Sequence, residues 1–249
     1  MAHRLVAFTV IATSLAAASV ASERQEPPGQ RACRILDEII RVIDGITARQ
    51  AKRGPDTERS LFDGRTLGMW KRTEYSGGGD VSVNPTFGGA GPAIVVEPGA
   101  TLSGVHWTGD VPKGDYEVSL EFMKIEGSDF ACGLTFPVAG SHATLVLGGW
   151  GGGVVGVSCI DGHDASENET TTYLSFTAGR WYGVRLRVTA SRIGAWLDGK
   201  QIVDANIAGR AISLRHGEIS RSTPLGLATY QTSAAFRAIR LRTPAHSDG

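Results

Sequence analysis

The sequence predicts an all-β protein: a two-sheet antiparallel jelly-roll sandwich preceded by one amphipathic helix. Three observations carry that reading. Tyr116-Glu-Val-Ser-Leu-Glu-Phe122 alternates apolar and polar residues in period two, as a half-buried strand does. A train of similar short runs follows at the rhythm of ~8–12 residues typical of sandwiches. The chain also holds 33 glycines, which suit bulges and tight connections in a large curved sheet.

Taken in order, Met1–Arg4 give a short basic start and Leu5–Ala18 an apolar run. Ser19-Val20-Ala21 then supplies the small-x-small pattern read by signal peptidase. The run is shorter than the ~20 residues of a permanent membrane span. We expect a signal peptide over 1–21 and export to a secreted or periplasmic location. Residues 22–58 read as a polar linker with a Pro-Pro break and then a helix over Cys33–Lys52. In that helix Ile35, Ile39, Val42, Ile43 and Ile46 share one stripe, ended by Arg53-Gly54-Pro55. The stripe must be covered, either by its own domain or by self-association.

The jelly-roll domain is expected over 59–243, with a tail at 244–249. Strand runs fall at Tyr116–Phe122, Phe130–Phe136, Ala143–Leu147, Val154–Ile160, Thr170–Phe176, Trp181–Val188, Arg192–Leu197, Ile202–Ala205, Leu225–Tyr230 and Ala234–Leu241. Asp198-Gly199 between two of them signals a tight hairpin. The pair of strands carrying Trp181 and Trp196 resembles the back-sheet hairpin of concanavalin A-like lectin and glucanase folds, which makes both indoles expected core anchors.

The 25 basic and 25 acidic residues balance. A neutral chain has no electrostatic footprint for nucleic acid and no polybasic stripe for a lipid surface; neutral polar ligands such as carbohydrates suit it. No further stretch is apolar enough to cross a membrane once the signal is removed. Of the three cysteines, Cys33, Cys132 and Cys159, the last two lie in strand runs, as a bridge or as two buried thiols. No Cys-x-x-Cys pair marks structural zinc.

Several motifs together resemble one family. Ser60-Leu-Phe-Asp-Gly-Arg-Thr-Leu-Gly-Met-Trp-Lys71 is similar to the opening of the 3-keto-disaccharide hydrolase-like domain. Gly114–Phe122, Trp196-Leu-Asp-Gly199 and Ala234–Arg242 resemble its central strand, its hairpin and its closing strand. The resemblance covers about residues 60–242. It implies a concanavalin A-like jelly roll, bacterial export and cleavage of glycosides whose sugar carries a ketone at carbon 3. Two segments depart from the family pattern: Asp129–Pro137 lacks its arginine, and Leu145–Trp150 replaces a polar strand. No site residue carries over from them.

The chemistry-bearing stretch is Gly148–Thr172, where Trp150 stands among glycines ahead of Asp161, His163, Asp164, Glu167, Asn168 and Glu169. An indole beside carboxylates, amide and imidazole is a side-chain set that grips and can cleave a sugar. If Glu167 and Glu169 lie on a strand, they share a face about 6.5–7 Å apart. That matches the ~6.5–9.5 Å carboxyl separation of inverting glycosidases. Asp161, His163 and His142 complete the catalytic candidates, since an imidazole near its free pKa of ~6.5 suits proton abstraction. Trp150, Asn168 and Asp129 are the expected substrate contacts, with His106 a weaker candidate. Asp161 and Asp164, with neighbouring oxygens, are also the donor type for calcium, the one cofactor the residues suggest. A solvated acidic loop explains the same residues without any site.

Three functions therefore stay open. One is an exported glycoside hydrolase cutting by acid/base chemistry in a concave groove. The others are a non-catalytic carbohydrate-binding module and an envelope interaction protein that docks through helix 33–52. Serine-nucleophile, P-loop and dinucleotide signatures are absent.

Overall fold

The computed structural model describes residues 34–42 and 57–244. Residues 34–42 are helical. The rest of the expected Cys33–Lys52 helix, the signal peptide and the tail beyond 244 lie outside the described residues. A compact unit spans Pro55–Ala245.

Its first strands are β1 (Thr57–Ser60), β2 (Trp70–Arg72), β3 (Val81–Asn84), β4 (Ala93–Val96) and β5 (Leu102–Trp107). Next come β6 (Tyr116–Gly127), β7 (Cys132–Val138), β8 (Ser141–Gly148), β9 (Val154–Ser158) and β10 (Thr172–Tyr173). The last are β11 (Trp181–Val188), β12 (Arg192–Leu197), β13 (Lys200–Asn206), β14 (Leu225–Tyr230) and β15 (Thr232–Thr243). One sheet runs β13-β12-β11-β6-β15-β4-β3, with β1 also on β15; the other runs β10-β9-β8-β7-β14-β5-β2. Every pairing is antiparallel. This is the sandwich the alternation predicts, and β11, β12 and β14 have the expected bounds.

Period two decides which side chains enter the core. Along β11, Tyr182, Val184, Leu186 and Val188 are buried. They pack against Tyr116, Val118, Leu120 and Phe122 of β6 and against Leu134, Phe136, Leu145 and Leu147 of the opposite sheet, in one cluster. Phe122 stacks on Tyr182 with ring centroids 5.5 Å apart, and Trp70 meets Trp107 edge-on at 5.3 Å. Asp198 and Gly199 both take positive φ, at 48° and 81°, so the hairpin uses the turn the dipeptide favours.

The same parity corrects one expectation. With the even-numbered residues of β11 inward, Trp181 must face out, and with Ile193 and Ala195 inward, so must Trp196. Neither indole is a core anchor. Each is capped by a guanidinium on the outer face: Arg237 lies 4.0 Å from the ring centre of Trp181, and Arg185 lies 3.7 Å from that of Trp196. Cys132 and Cys159 are separate buried thiols, and burial pushes both pKa values up. The expected Thr170–Phe176 strand shrinks to Thr172–Tyr173, because the preceding residues form successive turns.

Candidate functional site

The outer face of the second sheet is built from the residues that alternate with its core set: Val146 and Thr144 on β8, Gly133 and Thr135 on β7, Ala228 and Tyr230 on β14. Residues 207–224 connect β13, at the edge of the first sheet, to β14 in the middle of the second. This strap crosses the outer face. Ser213 and Cys159 exchange two backbone hydrogen bonds at 2.7 and 3.2 Å, and Ala211 accepts from the Asp161 amide at 2.7 Å. Farther on, a 3₁₀ turn at Glu218–Ser222 lies directly on β14. A Cβ at Gly226 would stand 2.5 Å from the Ser222 carbonyl oxygen, so glycine is what lets the strap pack there. Tyr75 and Ser222 share a buried hydroxyl–hydroxyl hydrogen bond, and burial pushes the Tyr75 phenol up to about 12. The carboxylate of Glu218 takes the Ser76 hydroxyl at 2.7 Å and the Ser76 amide at 3.0 Å. These donors hold its pKa below the ordinary glutamate value.

Between its two anchorages the strap overhangs a cleft of about 340 Å³, within the usual ~300–1,000 Å³ of small-ligand sites. Phe130, Tyr230 and Trp150 supply its aromatic walls, and Val146 and Leu102 its apolar floor. Thr144, Ser158, Asp129, Arg215, His216 and Glu218 supply polar groups.

Trp150 is the most informative of these. It occupies left-handed backbone, φ 48° and ψ 57°, in the turn Gly149–Gly152, and the residue is 41% exposed. A bulky residue held there costs on the order of 1–3 kcal/mol. The surroundings enforce it: Asp129 Oδ2 accepts from the Gly151 amide at 2.9 Å, while Asp129 Oδ1 caps the Phe130 amide at 2.8 Å. The chain is bent against its preference so that an indole reaches the cleft. The Arg215 guanidinium stands 5.4 Å from the centre of that indole and pairs with Asp164 at 3.1 Å. The other Asp164 oxygen accepts from Ser158 Oγ at 2.6 Å and from Cys159 Sγ at 3.1 Å.

The acidic stretch behaves otherwise. Glu167 and Glu169 lie on turns instead of a strand, so the shared-face spacing does not arise. Arg210 sits between Asp161 and Glu169, at 2.5 and 2.7 Å, and Asp161 also takes the Ala211 amide at 2.8 Å. The Arg210 guanidinium holds both carboxyls below their ordinary values, so neither stores a proton for acid catalysis at neutral pH. Asn168 is spent internally. Its Nδ2 reaches three backbone carbonyls, Val157 and Asp164 at 2.8 Å and His163 at 3.1 Å, and its Oδ1 takes the Thr170 amide and hydroxyl at 2.9 and 2.6 Å. His163 and Glu167 are exposed and stand apart from the cleft lining. His142 lies on the same sheet face as Thr144 but beyond the cleft, its pKa lowered by burial. His106, farther across that face, bonds Thr73 Oγ1 through Nδ1 at 3.1 Å, and burial lowers its pKa too. Asp161 and Asp164 answer to different arginines, and among the described residues no group of three or more His, Cys, Asp or Glu converges on a metal.

Of the sequence candidates, then, the cleft gathers Trp150 and Asp129 only. It adds Ser158, Arg215, His216 and Glu218. Their signal in the sequence was the length of the connection at 207–224 and its Arg215-His216-Gly217-Glu218 run, since long ordered loops tend to carry function.

The fold is an antiparallel two-sheet sandwich with an aromatic, polar-rimmed cleft on the outer face of one sheet. Residues 57–242 match the 3-keto-alpha-glucoside-1,2-lyase-like domain. The chain belongs to that family. The segments Asp129–Pro137 and Leu145–Trp150 furnish Asp129, Phe130, Val146 and Trp150 to the cleft. Among solved structures the chain is similar to the cellulose-induced protein Cip1, at 16% identity over 74% of this chain and 96% of that one, TM-score 0.51. It is also similar to a carbohydrate-binding module from Bacillus subtilis (12%, 70% and 96%, TM-score 0.43). A third is a putative glycosyl hydrolase from Parabacteroides distasonis (12%, 78% and 95%, TM-score 0.45). At such identities the likeness concerns the fold alone. No curated protein matches the sequence.

Proposed function

We propose that this is an exported carbohydrate-active enzyme that binds a 3-keto-glycoside against Trp150 and cleaves it by elimination. The observation that carries the reading is the strained Trp150 indole lining one cleft together with Arg215 and His216. Export rests on the basic, apolar and small-residue order of Met1–Ala21.

A ketone at C3 acidifies the C2–H bond. His216 is the imidazole at the cleft and takes that proton; the C2–H electron pair is delocalised onto O3, where Arg215 faces the developing charge. Collapse of the enolate forms the C1=C2 bond and breaks C1–O. The departing oxygen then recovers the proton from the imidazolium, so atoms and charge balance. The two cleft carboxylates are taken up by other donors, Asp129 by the Phe130 and Gly151 amides and Glu218 by Ser76, and they shape the site instead of moving protons.

The test is incubation with a panel of 3-keto-glycosides and their unoxidised parents. The keto substrates alone are expected to be cleaved, with His216→Ala lowering kcat ~10²–10⁴-fold and leaving binding intact. Turnover unchanged in that variant overturns the assignment. A second reading, a non-catalytic binding module, is favoured by the engagement of both cleft carboxylates. It stands if no panel member is turned over while Trp150-dependent binding persists.

A further inference from the structure

The first sheet carries a groove of its own on its outer face, on the far side of the core from the cleft. Its volume is about 400 Å³, and its lining includes Ser119, Glu121, Gly183, Arg185, Trp196 and Arg240. From this groove we infer a second saccharide site, specific for neutral sugars and independent of any cleavage chemistry.

Three features separate it from an ordinary solvated face. The first is Gly183, at an outward position in the middle of β11, a central strand. Interior-strand glycine weakens a sheet and marks bulges or close approach by a ligand or another backbone. Packing does not require it here: a Cβ at Gly183 would meet nothing nearer than Asp198 Oδ1 at 3.7 Å. The small side chain keeps the floor open, and Ser119 does the same on β6.

The second is a bulge. The register of β15 on β6 slips between Arg237 and Arg240, and Ala238 there takes φ 51°. Bulges re-aim side chains beside functional sites, and this one sets Arg240 as the wall opposite Trp196. The third is the indole itself. Trp196 lies flat over Gly194, whose Cβ would stand 2.7 Å from its ring, and is steadied by the Arg185 stack. It therefore presents a fixed aromatic edge.

The charges identify the ligand. Each ionised group lining the groove already has a partner outside it or at its rim. Arg185 pairs with Glu117 at 2.8 Å, Arg240 with Glu58 at 2.7 Å, Glu121 with Arg237 at 2.6 Å and Asp198 with Arg180 at 2.8 Å. Two arginines and two carboxylates cancel, leaving oriented donors and acceptors with spare hydrogen-bonding capacity. That set recognises hydroxyls and gives no net attraction to an anion or a cation.

The experiment is an NMR titration of the full-length protein with maltotetraose, and separately with tetragalacturonate, to about 10 mM, enough to saturate a site of Kd ~1 mM. Maltotetraose is expected to shift the Trp196 indole N–H and the Gly183 and Ser119 amides. Gly183→Val fills the floor with a strand-favouring residue in open space, so folding, checked by thermal unfolding, is retained. It is expected to weaken those shifts at least ~10-fold. Trp150→Ala leaves them unchanged, so failure at the cleft and failure here are told apart. Groove resonances unmoved by maltotetraose, moved only by the uronate, or moved equally in Gly183→Val overturn the inference.

Discussion

Trp150 and the stretch that begins eleven residues later, Asp161 to Glu169, do opposite things with their polar surroundings. At Trp150 the Gly151 amide donates to the Asp129 carboxylate, which holds the backbone in an unfavourable conformation and leaves the residue partly exposed. Between Asp161 and Glu169 four polar side chains are engaged by the protein itself: Asn168 by three carbonyls, Asp161 and Glu169 by Arg210, Asp164 by Ser158 and Arg215. Composition alone made the second stretch look like a site. What marks a site is a group that folding leaves unsatisfied or strained.

The sharpest break in that contrast is Asn168→Ala. It orphans several buried partners at once and is expected to cost about 3 kcal/mol of stability, read as a lower urea midpoint at unchanged m-value, with ligand affinity per folded molecule retained. Trp150→Ala is the converse. Sugar affinity is expected to fall about 30-fold, near 2 kcal/mol, without loss of stability, as calorimetry will show. Trp150→Gly at the same position removes the left-handed strain and is expected to raise stability by about 1 kcal/mol.

Arg210→Ala probes the clamp through pH. Asp161 and Glu169 have folded pKa values below their unfolded ones. Their contribution is present above the unfolded carboxyl range, about pH 4, and is lost as the pH falls through the folded values. The variant is expected to show a shallower decline of Tm on acidification, measured by thermal scans from neutral pH downward. Glu167→Gln is the smallest perturbation: stability within ~0.5 kcal/mol and unaltered turnover. A large effect of this exposed residue on turnover would reinstate the acidic stretch as the site.

The fold was legible because parity along Tyr116–Phe122 and Trp181–Val188 already encodes which face meets the core. The early strands were not: runs such as Trp70–Arg72 are too brief to show a period, and β5, though six residues long, buries three residues in succession and so lacks one. Trp181 and Trp196 were misplaced because the resemblance to a back-sheet hairpin was set above that same parity. Trp150 and Asp129 were visible as an aromatic among glycines and an acid before a strand. Arg215 and His216 were not, because only the path of the strap, fastened at Ser213 and Ser222, brings them over β8 and β14. Long-range closure of that kind leaves no local pattern.

The way the strap is fastened has a consequence for recognition kinetics. Its backbone bonds to Cys159 and the tethers to Tyr75 and Ser76 fix the cleft mouth while the chain folds, so the cost of ordering the strap backbone that carries Arg215 and His216 is met before any ligand arrives. Encounter at such a mouth is a rigid docking event, and differences in affinity between ligands will lie in how slowly they leave.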